Sequence, residues 1–179
     1  MKALQTQPSL VEQVHKAILS EIASGKLPAG ARLIQEQIAQ ELGVSRQPVQ
    51  QALTLLRNQG ILQAAPGRGL LVVPMDLEHV RHMYDVRAVM EGLAFRQAAE
   101  KSSALAAERG ATLIKAGRKA ASSGQVSAMI AADMAFHDFI YELSDNPLVA
   151  PSMEMHWTYI QRVMGEVLMR DNKPRDIWD

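Results

Sequence analysis

Cysteine is absent from the 179 residues. No disulfide framework can form, and a reducing compartment is compatible with the chain. An excess of charge is lacking too: 19 Lys and Arg balance 19 Asp and Glu. Nowhere do about 18 apolar residues run together, and no charged segment precedes an apolar run of leader type. Those absences predict a soluble, cytoplasmic chain that is not inserted in a membrane. Internal repeats and low-complexity tracts are missing as well, which excludes solenoid and fibrous designs. What is present is a 47% hydrophobic composition, enough to bury a core in one large domain or two small ones.

The overall neutrality hides an asymmetry. Residues 1–74 hold seven Lys and Arg against four acids, a surplus of three positive charges, and the remainder carries three negative ones. A polyanion-binding head on a body that does not bind polyanions fits that division.

The head is organised around 33–73. Ile38, Ala39 and Leu42 predict one face of a short helix, and Gly43 ends it where a left-handed residue is cheap. Val44 is expected to be buried in the turn, and Ser45 to N-cap the next helix. Pro48 stands in that helix's first turn, where a missing N–H costs little. Val49, Ala52, Leu53, Leu55 and Leu56 form its inner stripe. Helix, glycine turn, helix is the layout that places the start of the second helix in the major groove of DNA. Gly60 closes this helix. The runs 61–64 and 70–73 then flank Ala65-Pro66-Gly67-Arg68-Gly69 and predict a hairpin, a wing whose tip carries one cation, Arg68. No strand outside the wing is indicated. Upstream, Leu10, Val14, Ala17, Ile18 and Ile22 recur at helical spacing across 9–24.

Ser45, Arg46, Gln47 and Pro48 stand at the start of the reading helix, with Gln50 one turn further on its outer face. Arg reads guanine and Gln reads adenine by paired hydrogen bonds. The alternative for these residues is a merely solvated helix end. The stretch GVSRQPVQQAL…LRNQGIL…PGRGLLV resembles the winged helix-turn-helix of GntR-type bacterial transcription regulators, over about 11–73. YDVRAVMEGLAFRQAA at 84–99 and DMAFHDFIYELSDNPLV at 133–149 resemble the helical (FCD) effector domain of the FadR-like subgroup. The resemblance implies DNA contact by Ser45, Arg46, Gln47, Pro48, Gln50, Arg68 and Gly69. This chain departs from the family where Gln50-Gln51 replaces a common Arg-Glu pair, and where Glu36 occupies a position that is Arg in some members. Weaker phosphate attraction and a different operator follow from those departures.

The expected fold is mainly α. A winged helix-turn-helix of three helices plus a β-hairpin wing occupies 1–74, and an antiparallel all-α bundle occupies 75–179. In the bundle, Asp76 is expected to cap a helix running to about 101, with Val80, Met83, Tyr84, Arg87, Met90, Glu91, Ala94, Phe95 and Ala98 on one face. Ser102 or Ser103 is expected to cap a second helix, 104–121, before a break at Ser122-Ser123-Gly124. Helices at 125–143 and 148–170 follow, and Asp176 is read as the start of another.

Asp133 and His137, spaced i, i+4, point from one helix face and can share a divalent metal, or can be an ordinary hydrogen-bonded pair. The resemblance implies that they are two ligands of a metal such as Zn, Ni or Mn, held weakly here because later ligands are expected beyond Asp179. On that reading the chain is a C-terminally truncated form, and should expose an apolar patch or bury it in a dimer. His156 does not match a ligand position, and His15, His79 and His82 read as surface residues. Arg87 and Glu91 are either a plain i, i+4 ion pair or, as the resemblance implies, Arg87 faces an effector cavity and binds a carboxylate. Asn146 is expected to cap the last helix or shape the turn before Pro147.

The sequence therefore predicts a non-enzymatic, ligand-responsive regulator. It would bind double-stranded DNA as a homodimer at a near-palindromic operator, with a small organic acid as effector. Two further readings stay open: a truncated regulator that binds DNA without sensing a ligand, and a helical metalloenzyme.

Overall fold

In a computed structural model of the chain, the described residues are 8–170 and 178, the side chains at 102, 103 and 155 apart. They fall into two compact units, Met1–Met75 and Asp76–Asp179. Asp176 lies outside the described residues.

The first unit contains α1 (Leu10–Ala23), β1 (Arg32–Leu33), α2 (Gln35–Glu41), α3 (Arg46–Asn58), β2 (Leu62–Ala64) and β3 (Leu70–Val72). A capping box starts α1. Ser9 Oγ accepts from the Glu12 amide, and the Glu12 carboxylate accepts from the Ser9 amide, which satisfies two otherwise orphaned donors. Val14, Ile18, Leu19 and Ile22 of α1 are buried, and α1 packs on α3. The stripe of α3 is Pro48, Val49, Ala52, Leu53 and Leu56. Leu55 is exposed, contrary to expectation, because it falls about a quarter turn from the centre of that stripe. Leu42 is exposed and Val44 only half-buried: seven-residue α2 buries Ala39 alone. Gly43, at φ 64°, makes the turn between α2 and α3.

Ser45 is the N-cap residue of α3, with extended backbone, but its side chain caps nothing. The N3 residue of this helix is Pro48, whose ring removes the amide that an N-cap oxygen usually meets. The sheet also departs from expectation. It has three antiparallel strands in the order β1-β3-β2, with Leu33 opposite Leu70 and Leu62 opposite Val72. Two-residue β1 is too short to leave a period-2 signal. Its pairing covers one edge of the wing, and Leu33 anchors it in the core.

The second unit contains α4 (Leu77–Ser123), α5 (Val126–Leu143) and α6 (Val149–Arg170). Asp76 caps α4, its carboxylate accepting from the amides of Glu78 and His79. The expected break at Ser102-Ser103 does not occur: α4 is one run of 47 residues. Yet its path reverses. Glu91 meets Tyr141 and Gln97 meets Asn146, so α4 and α5 first climb together. Beyond, Lys101 donates to the Ser144 carbonyl, Arg109 pairs with Glu142, and Gly110 faces Phe139, so they run oppositely. A straight helix would separate Arg87 from Gly110 by roughly 35 Å, too far for His137 and Phe139 to touch one each. The bend falls between Gln97 and Arg109. The expected turn is therefore present as a change of direction within that run. Gly124, left-handed at φ 68°, ends α4. Asn146 shapes the start of the last helix, its Oδ1 accepting from the Leu148 amide at 3.1 Å. Ala94, Ala98, Phe139, Ile140, Val149, Met153 and Ile160 fill the core. No helix among the described residues is long and apolar enough to cross a membrane.

Candidate functional site

Two groups of expected site residues come together, one in each unit. In the first, Arg46, Gln47 and Gln50 lie exposed on α3, and Arg68 stands exposed at the wing tip. Glu36, in the first turn of α2, accepts hydrogen bonds from both arginines: Arg46 NH2 on Oε1, and Arg68 NH2 on Oε2 at 3.0 Å. Gln35 Nε2 donates to the Arg46 carbonyl at 2.8 Å. Arg32 donates to the carbonyls of Arg68, at 2.8 Å, and Pro66. The reading-helix start and the wing are thereby held side by side around a cleft of about 260 Å³ lined by Glu36, Arg46, Gln50 and Arg68.

Gly69 is the hinge of that arrangement. Its φ is 97°, and a Cβ there would lie 2.6 Å from the Leu33 carbonyl oxygen. Only glycine fits both the conformation and the approach. Pro48, in the expected contact set, is buried and braces the helix start. Ser45 is exposed. Arg32 and Gln35 carried no sequence signal, since each acts through the backbone of a remote segment.

The second group is a buried polar cluster between α4, α5 and α6. Arg87 is 8% exposed. Its Nε donates to Glu91 Oε1 at 2.8 Å, and its NH2 meets His137 Nε2 at 2.9 Å. The guanidinium carbon lies 5.5 Å from the ring centres of both Tyr84 and Trp157, a favourable seat for a cation. Tyr141 donates to Glu91 Oε1 at 2.7 Å. His137 Nδ1 is 3.0 Å from the same oxygen, off the line that a hydrogen bond needs. Of the two sequence readings of Arg87 and Glu91, the ion pair is present, and it is a buried one.

Burial works against the Glu91 charge, but His137 and Arg87 overcome it and hold the carboxyl below its usual range. Burial also works against the Arg87 cation, and Glu91 more than compensates. Asp133 differs. Burial raises its pKa, offset only in part by His137 and Arg87, and its buried Oδ2 has no hydrogen-bond partner. Burial and Glu91 together hold the Tyr141 proton far above the phenol's ordinary value.

Asp133 and His137 do share a face, with Oδ1 and Nε2 3.9 Å apart. They do not fit a metal as arranged. Arg87 already places a cation against His137 Nε2, and among the described residues no group of three His, Cys, Asp or Glu could hold an ion. His156 is half-buried on α6, His79 packs edge-on to Tyr159, and His15 bonds Gln59. Tyr141 follows His137 by four residues, a spacing that could have revealed it; Trp157 left no such signal.

Comparison with known proteins bears on both groups. The model for bacterial regulatory proteins of the gntR family matches residues 10–72, and that for the FCD domain matches 82–179. The probable D-xylose utilization operon transcriptional repressor of Paenarthrobacter nicotinovorans is 31% identical over 142 residues, which are 79% of this chain and 62% of that protein. The chain thus spans less than two thirds of that relative. The regulator McbR of Escherichia coli K12 is 27% identical over 149 residues, 83% of this chain and 67% of McbR. The solved structure of E. coli McbR/YncC superposes with a TM-score of 0.78 at 24% identity, covering 96% of this chain and 81% of that one. A putative GntR regulator from Rhodococcus sp. RHA1 gives 0.68 at 22% identity, covering 92% and 79%. These superpositions show the fold. The family models over both units establish that the chain belongs to the GntR family of bacterial transcriptional regulators and carries the FCD domain.

Proposed function

We propose that this regulator binds a near-palindromic operator in double-stranded DNA as a homodimer. The start of α3 enters the major groove and the Arg68 wing lies along the adjoining backbone or minor groove. What supports this most is the joint exposure of Arg46, Gln47, Gln50 and Arg68 on neighbouring elements. Arg46 and the glutamines then read base edges, and Arg68 supplies phosphate or minor-groove contact. Duplexes selected from a random pool, followed by footprinting, test the reading. Two protected half-sites about one helical turn apart are expected. A folded chain that retains no duplex at low salt contradicts it.

The helical unit, on this proposal, takes a small organic acid at Arg87. The guanidinium is fixed between two aromatic rings and two polar partners, which suits paired hydrogen bonding to a carboxylate that displaces Glu91. Such a ligand alters DNA binding only if its affinity differs between two arrangements of the protein. A divalent metal enters this reading only with donors outside the described residues and with Arg87 displaced from His137. Calorimetry with a series of mono- and dicarboxylates, with and without Zn²⁺, tests both parts. Carboxylate heat that vanishes in Arg87→Ala supports the site, and heat unchanged by that substitution contradicts it.

A further inference from the structure

We infer that Glu36 is an internal competitor for DNA phosphate that sets how strongly the head discriminates between sequences. This rests on the DNA-binding reading above and adds a specificity-determining residue to it. One carboxylate is shared by the two cations that carry that reading: Arg46 at the start of α3 and Arg68 at the tip of the wing. All three side chains are about half exposed or more, so each can exchange its partner for DNA without unfolding anything. Glu36 stands in the first turn of α2, between the start of α3 and the wing tip.

The arrangement cuts the local charge from two cations to a net one. Random-sequence DNA attracts the head only through phosphates, and that attraction scales with the cations available. A head whose two foremost arginines are held by a carboxylate therefore binds such DNA weakly. A cognate site offers more, because base edges replace the bonds that Arg46 gives up. The wing tip keeps its place meanwhile, because Arg32 holds the Arg68 and Pro66 carbonyls independently of Glu36. Glu36 acts on DNA through the two arginines and is a positioning residue for them.

Glu36→Gln keeps the size and one acceptor oxygen and removes the charge. The probes are a random-sequence duplex and the duplex recovered by selection with the wild-type chain, each titrated over a range of salt. Thermal melting of the variant checks its fold. Expected are a several-fold gain in affinity for the random duplex, a smaller gain for the selected one, and a salt slope steeper by about one unit. The ratio of the two affinities therefore falls. Equal loss on both duplexes with an unchanged salt slope would make Glu36 a mere brace and overturn the inference, as would no change on either. Wild-type protein that binds neither duplex overturns the DNA-binding reading itself, and this inference with it, an outcome distinguishable before any variant is made.

Discussion

Arg87 NH2 lies 2.9 Å from His137 Nε2 and ties α4 to α5. The same guanidinium carries the buried bond to Glu91 at 2.8 Å, with both side chains under 15% exposed. Truncation to Arg87→Ala leaves the Glu91 charge without its cation, a change that costs about 3 kcal/mol or more when a buried pair is broken. Arg87→Lys keeps the charge but loses the planar fork that serves Glu91 and His137 together. Urea denaturation is expected to rank wild type above Arg87→Lys, and Arg87→Ala last. A neutral Arg87→Ala would mean that the pair contributes nothing.

Acid should act on the cluster in two opposed ways. Glu91 has a lowered carboxyl pKa in the fold, so its contribution is complete above the unfolded value and is lost as pH falls through the folded one. Asp133 has a raised pKa, so its ionisation costs stability in full above the folded value, and the cost shrinks as pH falls through that value and is gone below the unfolded one. Arg87 and His137 face both groups, and Tyr141 faces Glu91. Asp133→Asn is expected to raise stability at neutral pH, and Glu91→Gln to lower it and flatten the loss in acid. Denaturation series between about pH 3 and 7 check both signs.

The reading helix and the wing were legible in the sequence because each rests on local signals: the stripe from Val49 to Leu56, Gly43, and the Pro-Gly tip. Their register beside one another was not. It depends on Glu36, Gln35 and Arg32, which act across roughly ten to thirty-five residues and leave no local periodicity. Ser102-Ser103 misled in an informative way. Serine disfavours a helix interior by only a few tenths of a kcal/mol, and α5 contacts α4 on both sides of the bend. In the bundle, Asp133 and His137 were visible as an i, i+4 pair. That Arg87 occupies the cation's seat between them and Glu91 required the packing of α4 on α5.

Two glycines of the wing separate strain from crowding. Gly67, at φ 84°, has open space where a Cβ would sit, while Gly69 would drive one into the Leu33 carbonyl. Gly67→Ala is expected to cost about 1 kcal/mol, the left-handed backbone penalty alone. Gly69→Ala is expected to cost roughly 3 kcal/mol, because β1 or the wing must also shift. Thermal melting measures the difference, and DNA affinity should fall only for Gly69→Ala. Equal losses would place the wing tip away from β1.

The proposed homodimer has a testable face on α4. Val86 and Val89, three residues apart, are 49% and 74% exposed, and neighbouring turns of a helix present such residues together. A partner helix laid along this face would cover both side chains. Val89→Glu is expected to leave the melting of the monomeric fold unchanged while shifting sedimentation toward a monomer and weakening operator binding. A Val89→Glu protein that sediments and binds like wild type would move the dimer contact elsewhere.

Arg46 gives the most direct test of the head. Its side chain is 64% exposed and its ion pair with Glu36 is a surface one, worth between nothing and about 1 kcal/mol to folding. Arg46→Ala should therefore melt close to wild type. On DNA the same truncation removes a guanidinium able to grip guanine O6 and N7, worth about 1–3 kcal/mol of discrimination. It also frees Glu36 from one of its two partners, so that a carboxylate with one open side then faces the phosphates. Specific binding is expected to fall below detection in a footprint, while binding to random duplex falls only modestly. A variant that footprints the wild-type site at normal affinity would remove Arg46 from the reading set and leave Gln47 and Gln50 to carry it.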